Sequence, residues 1–202
     1  MIQLVRGFKD ILPAEASVWQ FIEATARAHF ENFGFKEIRP PVVEQAELFK
    51  RSIGEHTDIV EKEMYTFEGS KGGLLTLRPE ATASVVRAFI QHKLYAADTQ
   101  WKLYTIGPMF RKERPQKGRY RQFYQINAEV FDAGAPYMDA QLIHMVTGFF
   151  ERLSISGLSV HLNSLGCPAC RPGYREALSA LLSENAEQLC ADCKRRLGKN
   201  PL

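Results

Sequence analysis

The sequence predicts an α+β fold, an antiparallel sheet flanked by helices. Three observations carry that prediction. Segments of helical period alternate with segments of two-residue period in the order helix, hairpin, helix, hairpin, helix, which suits a sheet with helices packed on one side. The two clearest strand patterns, "WKLYTIGPMFRKE" and "RQFYQINAEVF", are joined by a basic loop too long for a tight turn, so they are expected to pair as antiparallel neighbours. The composition, 45% hydrophobic and 24% charged, is that of a folding chain with material for one core, or for a core plus a small appendage.

Each element has its own justification. Leu12 and Pro13 open a long amphipathic helix, because proline suits the first helical position. Val18, Phe21, Ile22, Thr25, Ala26, Phe30 and Phe33 line one face of it until Gly34 ends it. "FKEIRPPVVE" is short and extended, and Pro40 and Pro41 confine it to a sheet edge or a subunit boundary. "EMYTFEGSKGGLLTLRPE" reads as a hairpin around Ser70-Lys71-Gly72-Gly73. From Ala81 to Gln91 helical spacing returns, with Val85, Val86, Phe89 and Ile90 expected inside. Met138 to Leu153 is another amphipathic helix, "LSVHLNS" a strand, and Tyr174 to Arg196 a helix with charged faces.

The net charge of +3 permits a polyanionic partner without requiring one. The N-terminus "MIQLVRGFKD" has no apolar run long enough for a signal peptide, and no segment approaches a membrane span, so a cytoplasmic location without membrane partners is expected. All four cysteines fall after residue 166 as two C-x-x-C pairs. In a reducing compartment that arrangement suggests metal or redox chemistry more than a disulfide framework.

The chemistry concentrates in "FRKERPQKGRYRQFYQINAEVF", where Arg111, Lys112, Arg114, Lys117, Arg119 and Arg121 precede an alternation of aromatic and polar residues. Strand parity puts Tyr124, Ile126, Ala128 and Val130 on a core face. Phe123, Gln125, Asn127, Glu129 and Phe131 share the other face, a set costly to bury without a ligand or partner. On the preceding strand Thr105, Gly107, Met109, Arg111 and Glu113 share one face. If both apolar faces meet the helices, a guanidinium, a flat aromatic ring and several carboxylates converge on one sheet surface. Arg111 suits a phosphate through its planar fork of donors, Phe123 suits a stacked base, and Glu129 suits an ammonium. Singly, each of these residues fits a solvated strand face; together, around a basic loop, they favour a site. Glu80 and Thr82 stand where a strand hands over to a helix. A first-turn carboxylate there either complements the helix dipole or holds a cationic ligand.

Those segments carry a resemblance. "RGFKDILP", "TLRPEAT" and "FRKERPQKGRYRQFYQINAEVF" resemble the histidyl-tRNA synthetases, class II aminoacyl-tRNA synthetases, from Arg6 through Phe131 and more loosely through "LNSLG" and "KRRLGKNPL". "GFKEIRPPVVE" is similar to the first class motif, which lies at a homodimer interface. The basic strand-loop-strand is similar to the second, which holds ATP and the tRNA acceptor end. The resemblance implies a partial class II catalytic core over residues 1–165 and the start of a helical insertion domain over 166–202. It implies ATP-dependent activation of histidine, with Mg²⁺, and transfer to tRNA(His) in protein biosynthesis. Arg111 would bind the α-phosphate and the reacting carboxylate, and Glu113 and Phe123 the adenine. Glu80 and Thr82 would hold the α-ammonium with Gln125 nearby, Glu129 the imidazole, and Arg114, Lys117, Arg119 and Arg121 the acceptor end.

Three expectations complete the sequence-level picture. The family's "RGLDYY"-like segment, third motif and anticodon-binding domain are not found before Leu202, so a fragment of a longer synthetase is expected. Cys167, Cys170, Cys190 and Cys193, the pairs nineteen residues apart, fit either a four-cysteine zinc site or reduced, unliganded thiols. Two other functions stay open: the non-catalytic synthetase paralogue that regulates ATP phosphoribosyltransferase, and a zinc-stapled RNA-binding module.

Overall fold

The computed structural model describes residues 1–54, 57–70, 72–97, 100–131, 134–164 and 166–197. Lys71 of the expected hairpin tip, Leu165 of "LNSLG" and residues 198–202 of the last resemblance segment lie outside the described residues. The chain divides into two compact units, Met1–Leu158 and Ser159–Leu202.

In the first unit, helix α1 (Pro13–Asn32) begins on Pro13 with Glu15 in its first turn, a carboxylate placed to favour the positive end of the helix dipole. It stops at Phe33 and Gly34, whose N–H groups return to Phe30 O and Glu31 O; Gly34 takes φ +82°, a conformation glycine adopts without strain. Of its expected face, Ile22, Ala26, Phe30 and Phe33 pack inward, whereas Val18 and Phe21 are exposed. The proline-broken segment supplies two short edge strands that go to different sheets. Strand β1 (Lys36–Glu37) runs parallel to β5 (Trp101–Phe110), which pairs antiparallel with β6 (Gln122–Phe131). Strand β2 (Val43–Gln45) joins β4 (Leu74–Leu77) and β3 (Tyr65–Glu68) in an all-antiparallel sheet of order β2-β4-β3. The sheet containing β5 and β6 is therefore mixed, through β1.

Helix α1 and helix α4 (Pro136–Arg152) cover one face of the β1-β5-β6 sheet. The core there joins Ala26, Phe30, Phe35, Tyr104, Met145 and Phe149, with Ile126, Ala128 and Val130 of β6 packed against it. Strand parity thus placed the core face correctly, except that Tyr124 reaches beyond it to tilt against Trp19 at 4.7 Å. A second cluster, Ala46, Phe49, Met64 and Ala83, joins helix α2 (Ala46–Ile53) to helix α3 (Thr82–Gln91).

The structure departs from the sequence prediction in several elements. Helix α2 and a wide helical turn at Ile59–Glu63 were not foreseen. Helix α3 buries Ala83, Ser84, Val85 and Ala88, so its inner face is made of small residues, and Ile90 is 57% exposed. "LSVHLNS" forms no strand and is exposed along its described length. In the second unit the expected helix from Tyr174 to Arg196 is two, α5 (Arg171–Glu184) and α6 (Ala191–Leu197), parted by a short 3₁₀ turn at Ala186–Gln188.

Candidate functional site

The register of β5 against β6 builds the site. Thr105 lies opposite Asn127, Gly107 opposite Gln125 and Met109 opposite Phe123. Cross-strand partners share a face, so this set points away from α1 and α4. At one end the face is covered: Phe131 stacks on Phe89 of α3 with centroids 3.9 Å apart and planes 6° from parallel. Gln125, Asn127 and Glu129 are half-buried beside it, and Asn127 Nδ2 donates to Glu129 Oε1 at 2.9 Å, fixing the carboxylate's orientation.

The other end is a cavity of about 460 Å³ lined by Ile59, Glu63, Arg111, Glu113, Arg119 and Phe123. Strand β5 ends at Phe110, so Arg111 and Glu113 stand on the loop stem and not on the strand as the sequence suggested. The stem nonetheless continues the ladder by one bond, Arg111 N–H to Arg121 O at 2.9 Å, which keeps Arg111 on the expected side. Its Nε donates to Pro79 O at 2.9 Å, and the guanidinium lies 5.2 Å from the centroid of Phe123. One donor anchors the side chain and leaves the rest of the fork toward the cavity, with Glu113 Oε1 at 3.8 Å from Nη1. Glu113 also accepts from Arg119 Nη1 at 3.5 Å.

Glu63 was missed at the level of sequence. Lys112 N–H donates to Glu63 O at 2.7 Å and brings this distant residue to the cavity wall, a tertiary contact with no local signal. Burial, and secondarily the Glu113 charge, push its carboxyl above the ordinary range.

Glu80 caps α3. Its Oε2 accepts from Thr82 N–H at 2.6 Å and its Oε1 from Ala83 N–H at 2.9 Å, two of the orphan donors of a helix start. Thr82 itself is exposed. Arg78, also unforeseen as a site residue, is only 3% exposed; it donates through Nε to Pro108 O and through Nη1 to Pro40 O.

The basic loop sorts its cations. Arg114 and Lys117 are exposed, on a segment that turns at Lys117-Gly118 with Arg119 N–H returning to Gln116 O. Arg121 faces the stem: Nη1 donates to Arg6 O, Nε to Glu113 O, and its backbone N–H to Gly7 O. Gly7 is required there, since a Cβ would lie 2.8 Å from the Arg121 side chain at a φ of +90°.

The zinc expectation finds no support in the structure. Among the described residues no group of three or more His, Cys, Asp or Glu side chains is placed to hold a metal ion. Each pair instead closes on itself. Cys170 Sγ accepts from Cys167 N–H at 3.1 Å and lies 3.7 Å from Cys167 Sγ. Backbone hydrogen bonds from Cys170 and Ala169 pull the Cys167 thiol below its ordinary range. Cys190 is likewise lowered by hydrogen bonds from Cys193, and Cys193 raised by Cys190. All four thiols are free and exposed. The same finding leaves no carboxylate cluster for Mg²⁺ among the described residues.

Comparison with known proteins places this architecture among the class II synthetases of one amino acid. The family model described as histidyl-tRNA synthetase matches residues 7–191. The chain belongs to the histidyl-tRNA synthetase family. It is 63% identical over its whole length to the histidine–tRNA ligase of Desulforapulum autotrophicum and 64% identical to that of Desulfosudis oleivorans, covering 48% of each. The crystal structure of apo histidyl-tRNA synthetase from S. aureus superposes with a TM-score of 0.79 at 37% identity, over all of this chain and 47% of that one. A structure titled ATP phosphoribosyltransferase regulatory subunit/histidyl-tRNA synthetase, from Bacillus halodurans C, shares the fold with a TM-score of 0.69 at 19% identity, over 98% of this chain and 54% of that one. The chain spans about half the length of the curated relatives it matches. No helix among the described residues is long and apolar enough to cross a membrane.

Proposed function

We propose that the full-length protein is a cytoplasmic, homodimeric histidine–tRNA ligase, with residues 1–165 forming the N-terminal part of its catalytic domain and 166–202 the start of a helical insertion. The observation that carries this reading is the convergence of Arg111, Glu113 and Phe123 on one cavity at the end of the β5–β6 face. Arg111 receives the α-phosphate of ATP and the histidine carboxylate on the prongs left free by Pro79. Phe123 stacks the adenine, and Glu113 accepts from its amino group. Further along the face, Glu129, already oriented by Asn127, accepts from the imidazole.

Glu80, Thr82 and Gln125 hold the α-ammonium. A carboxylate has about four lone-pair sites, so the two N–H groups that Glu80 caps leave capacity for a cation. A histidine carboxylate oxygen then forms a bond to the α-phosphorus as the bond to pyrophosphate breaks. Charge grows on the phosphoryl oxygens, where the fixed guanidinium stabilises it. In the second step the terminal tRNA hydroxyl attacks the activated carbonyl and AMP leaves. Mg²⁺ supplies charge neutralisation of the nucleotide's phosphates, and no protein ligand is assigned to it. Arg114, Lys117 and Arg119, with Arg121 at the stem, present positive charge to the acceptor end.

The extended Pro40-Pro41 segment forms the dimer contact, with Val43 on an edge strand 41% exposed. Histidine-dependent ATP–pyrophosphate exchange by the full-length protein is the test. Exchange is expected with histidine alone among the amino acids. Its absence, with tight binding of an ATP phosphoribosyltransferase subunit, would establish the regulatory reading instead, and RNA binding without either would establish the third.

A further inference from the structure

Arg78 takes no part in the reaction as drawn, yet four of its groups are bonded to the main chain of neighbouring segments. Its backbone N–H donates to Val42 O at 2.9 Å and its carbonyl accepts from Phe110 N–H at 3.0 Å. Its Nε donates to Pro108 O at 3.0 Å and its Nη1 to Pro40 O at 2.9 Å. The reason lies in the sheet. Strand β1 pairs with β5 only at Leu103 and Tyr104, with one further bond from Ile38 N–H to Tyr104 O. Beyond that point the outer edge of β5 has lost its neighbour, and Arg78 stands in for it, satisfying Pro108 O and Phe110 N–H as a paired strand would.

The last prong has a different neighbour. A Cβ on Gly107 would come within 2.5 Å of Arg78 Nη2, and Gly107 does not have positive φ. Glycine is therefore needed there for space and not for backbone conformation. Gly107 is the cross-strand partner of Gln125, so the guanidinium lies against the floor of the face proposed above to receive histidine. The next residue's carbonyl, Pro79 O, anchors Arg111, and Glu80 follows it.

We propose that Arg78 is a positioning residue for histidine, its guanidinium wedged against Gly107 so that the segment carrying Glu80 and the β5–β6 pair carrying Gln125 keep a fixed separation. The inference rests on the synthetase reading of the same face. It also ties the Pro40 segment to the site through a single side chain. Lysine at this position keeps the charge but has no planar fork to reach two carbonyls and Gly107 together.

The test uses the full-length protein as Arg78→Lys, Gly107→Ala and the double variant, with folding checked by circular dichroism and pyrophosphate exchange measured against histidine and ATP separately. Each single substitution is expected to raise the histidine KM about tenfold while the ATP KM stays within about twofold. The double variant is expected to be no worse than the worse single one, because the added methyl and the shortened side chain relieve the same contact. An unmoved histidine KM in folded Gly107→Ala overturns the proposal, as do equal shifts for both substrates or additive effects. If Arg78→Lys does not fold, Gly107→Ala decides alone. Loss of exchange in the unsubstituted protein rejects the synthetase reading and this inference with it, whereas normal exchange there with no KM shift in the variants rejects this inference only.

Discussion

At the scale of single residues, the site depends on how many hydrogen-bonding positions each side chain has left. Arg111 spends one donor on Pro79 O and rests on Phe123, so its remaining N–H groups are aimed before any ligand arrives. Arg111→Lys in the full-length protein is therefore expected to lose adenylation by a hundredfold or more, about 3 kcal/mol of transition-state stabilisation, with the fold intact. Near-normal exchange in that variant would reduce Arg111 to an ion-pair partner of Glu113. Glu63 gives a pH dependence whose direction follows from its raised carboxyl. The folded chain holds this proton more tightly than the unfolded chain, so the contribution is stabilising in acid and is lost as pH rises from the ordinary carboxylate value through the raised one. Glu63→Gln should accordingly be more stable than the parent at neutral pH, with the difference vanishing in acid. Urea denaturation at the two pH values measures it, and a neutral-pH loss of stability would contradict it.

At the scale of elements, the junction of β4 with α3 joins stability to function. Glu80 satisfies the N–H groups of Thr82 and Ala83 with both carboxylate oxygens. Glu80→Ala should cost about 1 kcal/mol of stability, the usual worth of a capping side chain, in addition to weakening histidine use. Unchanged thermal unfolding would show that water replaces the cap. The two alternatives weighed from sequence, dipole partner or cation holder, are compatible in this geometry because the two roles use different lone pairs. The two faces of β5 and β6 were legible because parity on a strand is strict: one residue of slip would exchange Ile126 and Ala128 for Gln125 and Asn127 in the core. Helix α2 was not legible. Its eight residues, Ala46–Ile53, make little more than two turns, shorter than the window over which helical spacing is read. The expected strand "LSVHLNS" has the alternation but finds no partner strand among the described residues, and alternation without a neighbour to pair with does not make a strand.

At the scale of the whole molecule, the exposed stretch from Ile155 to Ser164 lies outside helix and strand and contains the division between the compact units. Brief proteolysis of the chain should cut there first and leave an N-terminal fragment ending near Leu158; first cleavage within the basic loop would contradict this. The two cysteine pairs belong to the second unit. Their spacing alone was compatible with a shared metal, but spacing does not determine whether two pairs meet, and here each pair's hydrogen bonds are made internally.

The sequence by itself determined the helix–hairpin alternation, the core face of β6 and the family, because periodicity, parity and motif spacing are local properties written along the chain. Only the tertiary structure decided that Glu63 joins Glu113 at one cavity, that Arg121 turns inward to Arg6, and that Arg78 completes the edge of β5 against Gly107. Those outcomes depend on which segments lie side by side. A buried guanidinium is recognised by its carbonyls, and the carbonyls of Pro40 and Pro108 carry no mark in the sequence to say that they await one.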